Sequence, residues 1–241
     1  MNAPDYYDRT RRTRFDEKFF PDKTKKMCDN DKKECNNKKE CNNKKECNDK
    51  KECKDKKQCK KYHNYKCRYI SRIKFRKLWS ECVIHTKLFI ISVLSDIPDA
   101  ELIAAILLRN QEDIANFTKR FIGDYNTNRL TKLLQEHILV IMCVIEAVKC
   151  GNQHAINKAV KKIFHNSTKV SSFISSLNPQ KLPSNVILEY FNEHNQFVID
   201  MSLARKNGNL GKDLQLFDKY YSQILHFSDL VLDGLFDSRH R

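Results

Sequence analysis

Apolar residues recur every three or four positions from about residue 70 onward, which is the period of an α-helix rather than the alternation of a strand. Five long stretches carry this stripe and predict helices over about 70–95, 126–149, 153–177, 185–206 and 212–236. Two shorter helices are predicted before the second long one, from about Pro98 to Leu108 and from Asn110 to Gly123. Long helices with short connections predict an all-α fold, an up-and-down antiparallel helical bundle.

The first 69 residues have no such stripe and differ in charge from the rest of the chain. Residues 1–77 hold 27 Lys or Arg against 13 Asp or Glu, whereas residues 78–241 hold 18 against 17. Few large apolar residues precede Tyr62, so this segment cannot bury enough surface to offset chain entropy. We therefore predict a disordered basic arm over 1–69 and a helical-bundle domain over 70–241.

The arm contains a cysteine repeat, "KKECNNKKECNNKKECNDKKECKDKKQC" (32–59), with a cysteine at every sixth position. Six residues turn a helix by about 600°, so a helix would not gather these thiols on one face. The repeat also lacks the closely spaced cysteine pairs of zinc sites. The favoured interpretation is a low-complexity spacer, with soft-metal binding or oxidative crosslinking between chains as alternatives.

Several protein classes are disfavoured by what the sequence lacks. The longest apolar runs, "LFIISVL" (88–94) and "ILVIMCVI" (138–145), are far shorter than the roughly 20 residues of a membrane span, and no secretory signal is evident. We therefore expect a soluble intracellular protein without structural disulfides. Phosphate-binding loops, dinucleotide fingerprints and nucleophile elbows are absent, which favours a protein that is not an enzyme.

The stretch "KKYHNYKCRYISRIKFRK" (60–77) interleaves basic and aromatic residues. Basic side chains can bind phosphates while aromatic rings stack on bases, so nucleic acid is one candidate partner and an anionic membrane surface is another. The candidate polyanion-binding residues are Lys61, Tyr62, Tyr65, Lys66, Arg68, Arg72, Lys74 and Arg76. Alternatively, Tyr69, Ile73 and Phe75 form the first turns of the bundle, with solvated charges outside.

Histidines interrupt the apolar stripes near the middle of several predicted helices. Because mid-helix positions lie at similar heights in an antiparallel bundle, they could converge on a transition metal or a small ligand. The candidate residues are His85, His137, His194, His226, Asp229 and Glu81. The Glu-x-x-His spacing of di-iron bundles is missing, so the alternatives are buried neutral histidines bonded to partners such as Ser222 and Asp218, or acid–base chemistry. Cys82, three residues before His85, is either a thiol nucleophile or a packing residue.

Five stretches of the body resemble a known family: "KLWSECVIHTKLFIIS" (77–92), "LLRNQEDIANF" (107–117), "LLQEHILVIMCVIEAVKCGN" (133–152), "LEYFNEHNQFVIDMSLAR" (188–205) and "DKYYSQILHFSDLVLDGL" (218–235). The family is one of bacterial helical-bundle proteins that are often labelled acetylglutamate kinase, although this chain has no nucleotide-binding loop. The resemblance implies site positions at Glu81, Thr86, Lys87, Gln111, His137, His194, Asp218, His226 and Asp229. The chain departs from the family at Glu81-Cys82, where the family has Glu-His, and at His85-Thr86-Lys87, where it has an aromatic residue before Thr-Arg.

The Asn- and Lys-rich repeat of the arm resembles low-complexity tracts of giant-virus proteins, which implies a virion or host-cytoplasm location. Two functional hypotheses follow from the sequence. The first is a non-enzymatic binding or structural protein that acts through its basic arm. The second is a bundle that binds a metal or a small ligand through its core histidines.

Overall fold

The computed structural model describes residues 56–237, with side chains from Tyr65 onward. This part of the chain forms five helices and no strand: α1 (Lys56–Leu94), α2 (Ala100–Cys150), α3 (Gln153–Leu177), α4 (Ser184–Lys206) and α5 (Leu210–Asp237). The predicted all-α fold is confirmed. The chain divides into two units, Met1–Tyr69 and Ile70–Arg241, and the second unit holds the bundle.

Helix α1 begins at Lys56, so the predicted start near residue 70 is too late. Extending an existing helix adds a hydrogen bond per residue without a new nucleation cost, and residues 56–69 contain no Pro or Gly to end it. The predicted disorder of residues 56–69 is therefore wrong, whereas residues 1–55 of the predicted arm, with most of the cysteine repeat, lie outside the described residues and remain predictions.

Helix α2 turns back on itself at Gly123, whose φ of 76° and ψ of 171° are not helical. The Gln135 side chain donates a hydrogen bond to the Leu108 carbonyl at 3.4 Å. In a straight helix these two residues would lie about 40 Å apart. The two halves of α2 are therefore antiparallel neighbours, in agreement with the predicted helix end at Gly123.

The second predicted interruption in this region, between Leu108 and Asn110, is absent. Asn110 continues the helix and is buried, and its side-chain amide donates to the Leu78 carbonyl of α1 at 3.0 Å. Asparagine often starts a helix because its side chain competes for backbone hydrogen bonds. Here the neighbouring helix supplies the partner, so the backbone of α2 continues without a break.

The first and last helices pack side by side in opposite directions. Residue numbers rise along α1 as those of its partners fall along α5, in the pairs Arg72–Asp233, Arg76–Asp229, Ser80–Tyr221 and Lys87–Asp213. Trp79 also packs edge-on against Phe227, with ring centroids 5.3 Å apart. The chain therefore closes its bundle by pairing α1 with α5.

One apolar cluster runs through all five helices of the bundle. Its largest fully buried side chains include Phe75 from α1, Ile114 and Ile141 from the two halves of α2, Ile163 from α3 and Tyr220 from α5. Phe75, which was assigned to the first turns of the bundle, lies in the core and stacks on Phe117 at 4.9 Å between centroids. Tyr69 and Ile73, predicted alongside it, are exposed.

Candidate functional site

Two of the predicted histidines meet inside the core. His137 from α2 and His194 from α4 are both buried, and their ring centroids lie 5.3 Å apart. Each stands within the apolar stripe of its helix, where a side chain points inward regardless of its polarity. The bundle therefore places two imidazoles against each other, away from solvent.

The His137 ring has one satisfied nitrogen and one unsatisfied nitrogen. Its Nδ1 lies 2.8 Å from the side-chain oxygen of buried Asn166 on α3, while Nε2 is buried without a hydrogen-bond partner. An amide oxygen can only accept, so Nδ1 carries the hydrogen and Nε2 presents its lone pair. Burial lowers the pKa of His137 to about 4, so the ring is neutral at pH 7.

The His194 ring has no hydrogen-bond partner at either nitrogen within the described part of the chain. The His194 ring is enclosed by the rings of His137, Phe191 and Tyr220. The centroids of the His194 and Tyr220 rings lie 5.0 Å apart. Burial lowers its pKa well below the ordinary range, and the charge that His137 would carry if protonated lowers it further. Both histidines are therefore neutral lone-pair donors.

Cys82 and Tyr220 border the same region as protonated groups. Burial raises the pKa of the Cys82 thiol to about 11, and the Gln111 amide donates to its sulfur at 3.3 Å. Burial also raises the pKa of Tyr220 well above its usual value. The Thr86 hydroxyl lies close enough to oppose both shifts, but neither it nor the Tyr220 hydroxyl makes a hydrogen bond of normal geometry. A thiol held in this form packs and is not a nucleophile.

A narrow cavity lies beside Cys82, His137 and His194, with about 10 Å³ of space for the centre of a water-sized body. That space corresponds to about one water molecule. Its polar lining comes from Trp79, Cys82, Gln111, His137 and His194, and the remainder is apolar or aromatic. The indole nitrogen of Trp79 is also buried without a partner.

The remaining members of the predicted metal set do not join this pair. His226 is exposed on α5 and faces an open groove between α4 and α5, Asp229 binds Arg76, and Glu81 pairs with Lys77 at 3.2 Å. His85 is half-buried on α1. No group of three or more His, Cys, Asp or Glu side chains able to hold a metal occurs among the described residues. The expected convergence of four histidines is thus reduced to two.

The predicted polyanion-binding residues divide into two sets. Arg72 donates two hydrogen bonds of 2.7 Å to Asp233, and Arg76 makes a bidentate pair with Asp229, so both arginines attach α1 to α5. Tyr65 is 70% exposed, and Lys66, Arg68 and Lys74 are partly exposed. The side chains of Lys61 and Tyr62 lie outside the described residues.

A second buried polar cluster was missed by sequence reasoning. Lys87 of α1 forms an ion pair with Asp213 of α5, and Arg205 of α4 binds the other carboxylate oxygen at 3.1 Å. Asp213 is fully buried, and burial lowers the pKa of Lys87 while the carboxylate opposes that shift. The resemblance implied Lys87 as a site position, but nothing in the sequence paired it with Asp213.

Asn166 was also missed, although a signal for it exists. It lies three residues after Ile163 and four before Val170, so it is a polar residue inside the apolar stripe of α3. Such a residue must find a buried partner. The sequence could therefore identify Asn166 as a candidate, but not its bond to His137.

No family model, curated protein or solved structure matches this chain. The resemblance to the bundle family and to giant-virus tracts therefore remains a prediction. Within residues 56–237, none of the helices is both long and apolar enough to span a membrane. The observations define a class, a helical-bundle protein with a buried two-histidine pair.

Proposed function

We propose that the protein is a non-enzymatic binding protein, in which the helical bundle carries a basic segment that binds single-stranded nucleic acid. The observation that supports this proposal is the composition of residues 56–69, which hold six Lys or Arg and no Asp or Glu. Three tyrosines, Tyr62, Tyr65 and Tyr69, are spaced among these charges. Cations binding phosphates and rings stacking on bases together suit a single strand of any sequence.

The ion pairs of the bundle disfavour three basic residues of α1 as phosphate ligands. Arg72 and Arg76 are paired with aspartates of α5, and Lys77 is paired with Glu81. Binding a phosphate through Arg72 or Arg76 would first have to break contacts that join two helices. The rings of Tyr65 and Tyr69 are exposed, with 70% and 57% of their surfaces accessible, so a ligand can stack on them without breaking a contact between helices.

The test compares two full-length variants of equal charge, measured by fluorescence anisotropy with a single-stranded oligothymidylate. The first changes Lys60, Lys61, Lys66 and Arg68 to Gln. The control changes four exposed lysines of the bundle, Lys158, Lys162, Lys212 and Lys219. Each lost phosphate contact lowers the magnitude of the slope of log affinity against log salt concentration by about 0.7. We therefore expect this slope to fall by up to about 3 in the first variant and to change little in the control. Equal losses in both variants would contradict a defined binding segment.

A second comparison separates base stacking from charge alone. Changing Tyr65 and Tyr69 to Ala should weaken oligothymidylate binding by roughly 1–3 kcal/mol per stacked base. Heparin has no bases, so its affinity should not change. If the affinities for heparin and oligothymidylate fall together, or if neither falls, the tyrosines do not stack on bases and the single-strand assignment fails.

A further inference from the structure

We propose that His137 and His194 form a buried binding site for one soft monovalent transition-metal ion, Cu(I). This site goes beyond nucleic-acid binding and depends on different residues. It is drawn from the unsatisfied ring nitrogens, the distance between the rings and the cavity that both rings line.

The orientation of His137 is the one that metal-ligating histidines adopt. A ligating ring donates its other N–H to a fixed oxygen, which sets the tautomer and aims the lone pair at the metal. In this bundle the Asn166 side-chain oxygen receives Nδ1–H at 2.8 Å, and Nε2 is left unpaired and buried. Asn166 is itself buried, so the orientation is held from α3.

The distance between the two rings suits a single shared ion. An imidazole nitrogen lies about 1.1 Å from its ring centroid and a metal–nitrogen bond is about 2.0–2.1 Å, so two rings on one ion have centroids no more than about 6.3 Å apart. The observed separation is 5.3 Å, with the ring planes inclined by 36°. The cavity between the surrounding helices has room for about one such body.

The surroundings favour a monovalent ion of low coordination number. The cavity lining contains no Asp, Glu, Lys or Arg. Moving an ion into an apolar site costs free energy that rises with the square of its charge, so a divalent ion without a carboxylate is penalised about fourfold more. Zn²⁺ also prefers four ligands, whereas imidazole suits copper and Cu(I) is stable with only two or three neutral ligands.

The test uses the full-length chain in which the nine cysteines other than Cys82 are changed to Ser, because those thiols would otherwise capture Cu(I). Cu(I) is added anaerobically and its binding is measured against a chromophoric Cu(I) chelator. We expect one ion per chain, X-ray absorption showing nitrogen rather than sulfur ligands, and a rise in Tm on loading. Sulfur coordination, or no retained Cu(I) in a folded chain, would overturn the proposal.

Substitutions then test which residues bind the ion. In the same background, His137→Leu and His194→Leu each replace a ring by an apolar side chain of similar size, and each should lose the bound ion and the Tm rise. His226→Leu, at an exposed position on α5, should keep both. Circular dichroism verifies that each variant is folded. If a variant fails to fold, the X-ray absorption spectrum and the Tm rise of the Cu(I)-loaded parent chain still test whether nitrogen ligands bind the ion.

Two further outcomes count against the proposal. Cu(I) retained at full stoichiometry by His194→Leu would show that the ion lies elsewhere. Zn²⁺ bound as tightly as Cu(I), and lost in the same two variants, would show that the site does not select a monovalent ion.

Discussion

A neutral imidazole still carries one N–H donor and one bare nitrogen, so each buried histidine brings two polar atoms into the core. Asn166 satisfies one of them for His137, and none is satisfied for His194 within the described residues. A buried polar atom without a partner costs about 1–3 kcal/mol. This pair therefore partly offsets the stability that the apolar core supplies.

The pair should make the bundle sensitive to acid. The pKa of His137 is about 4 in the folded chain and about 6.5 when unfolded, so the unfolded state binds more protons as the pH falls below 6.5. Stability is thus fully present above pH 6.5 and is lost as the pH drops towards 4, by on the order of 3 kcal/mol for His137. Urea unfolding of His137→Leu across this range should show a shallower pH dependence than the parent chain. Parallel curves would mean that His137 is not neutralised by burial.

Asp213 is the residue whose removal should cost most. It faces two cations, Lys87 and Arg205, and Asp213→Asn would leave both without a counter-charge in the interior. Breaking a buried pair in this way costs about 3–5 kcal/mol, which urea unfolding would measure. Asp218→Asn on the exposed face of the same helix is the control and should change stability by less than about 0.5 kcal/mol. A small effect at Asp213 would show that solvent reaches the pair.

For single residues, the sequence predicts which side chains are buried better than it predicts which side chains they bind. The stripes located His137 and His194 in the core because burial on a helix follows from spacing alone. His226 was grouped with the core histidines because it lies close to the apolar stripe of its helix, but on a helix a shift of one position turns a side chain by about 100°. The bonds His137–Asn166 and Lys87–Asp213 join different helices, and their formation depends on rotation and register that one sequence does not reveal.

Helix ends that carry a local sequence signal were predicted, whereas a helix end that depends on the rest of the helix was not. The bounds of α3 were predicted because both ends carry local signals: Gly151 in a left-handed conformation before it, with Asn152 capping its first turn, and Asn178 after it. The start of α1 was not predicted because residues 56–69 have no apolar stripe, and their helix continues from the packed part of the element. Composition alone cannot report such an extension.

The seam between α1 and α5 should be held more by its apolar contacts than by its surface ion pairs. The side chains of Arg76 and Asp229 are 43% and 22% exposed, so water screens their attraction. A double-mutant cycle of Arg76→Ala and Asp229→Ala should give a coupling free energy of about 0.5–1 kcal/mol. Oligothymidylate affinity should be unchanged in Arg76→Ala. If Arg76→Ala clearly weakens oligothymidylate binding, Arg76 belongs to the polyanion-binding residues after all.

Gly123 provides a test of the fold-back of α2. Its φ and ψ lie in a region that is essentially restricted to glycine, and an added Cβ would meet no atom within 4 Å. Gly123→Ala should therefore cost about 1–3 kcal/mol through the backbone alone. Gly211→Ala, in the first turn of α5 and equally free of contacts, should instead be neutral or stabilising by up to about 1 kcal/mol. Similar results for both would argue against a strained turn at Gly123.

The net positive charge and the apolar core of this protein lie in different parts of the chain. Almost all of the net charge of +15 lies before residue 78, while the apolar core lies in the bundle unit. The single tryptophan, Trp79, is buried against Phe227 and therefore reports on bundle closure. Its fluorescence can distinguish changes in the basic segment from changes in the core.

This probe supports a prediction about the last helix. A chain truncated after Asn207 lacks all of α5, so Trp79 and His194 lose their packing partners Phe227 and Tyr220. We expect red-shifted tryptophan emission and no cooperative thermal transition. Deletion of residues 1–55 should leave both signals as in the full chain. A cooperative transition in the truncated chain would mean that the first four helices form a stable core.

The pairing of α1 with α5 also has a consequence during synthesis. A ribosome releases α1 first, and more than a hundred residues must follow before Asp213, Asp229 and Asp233 arrive to meet their partners. Until then, the face of α1 that carries Trp79 has no α5 to cover it. Until α5 has been made, the nascent chain is thus exposed to aggregation or chaperone capture, and the bundle cannot close before its fifth helix emerges.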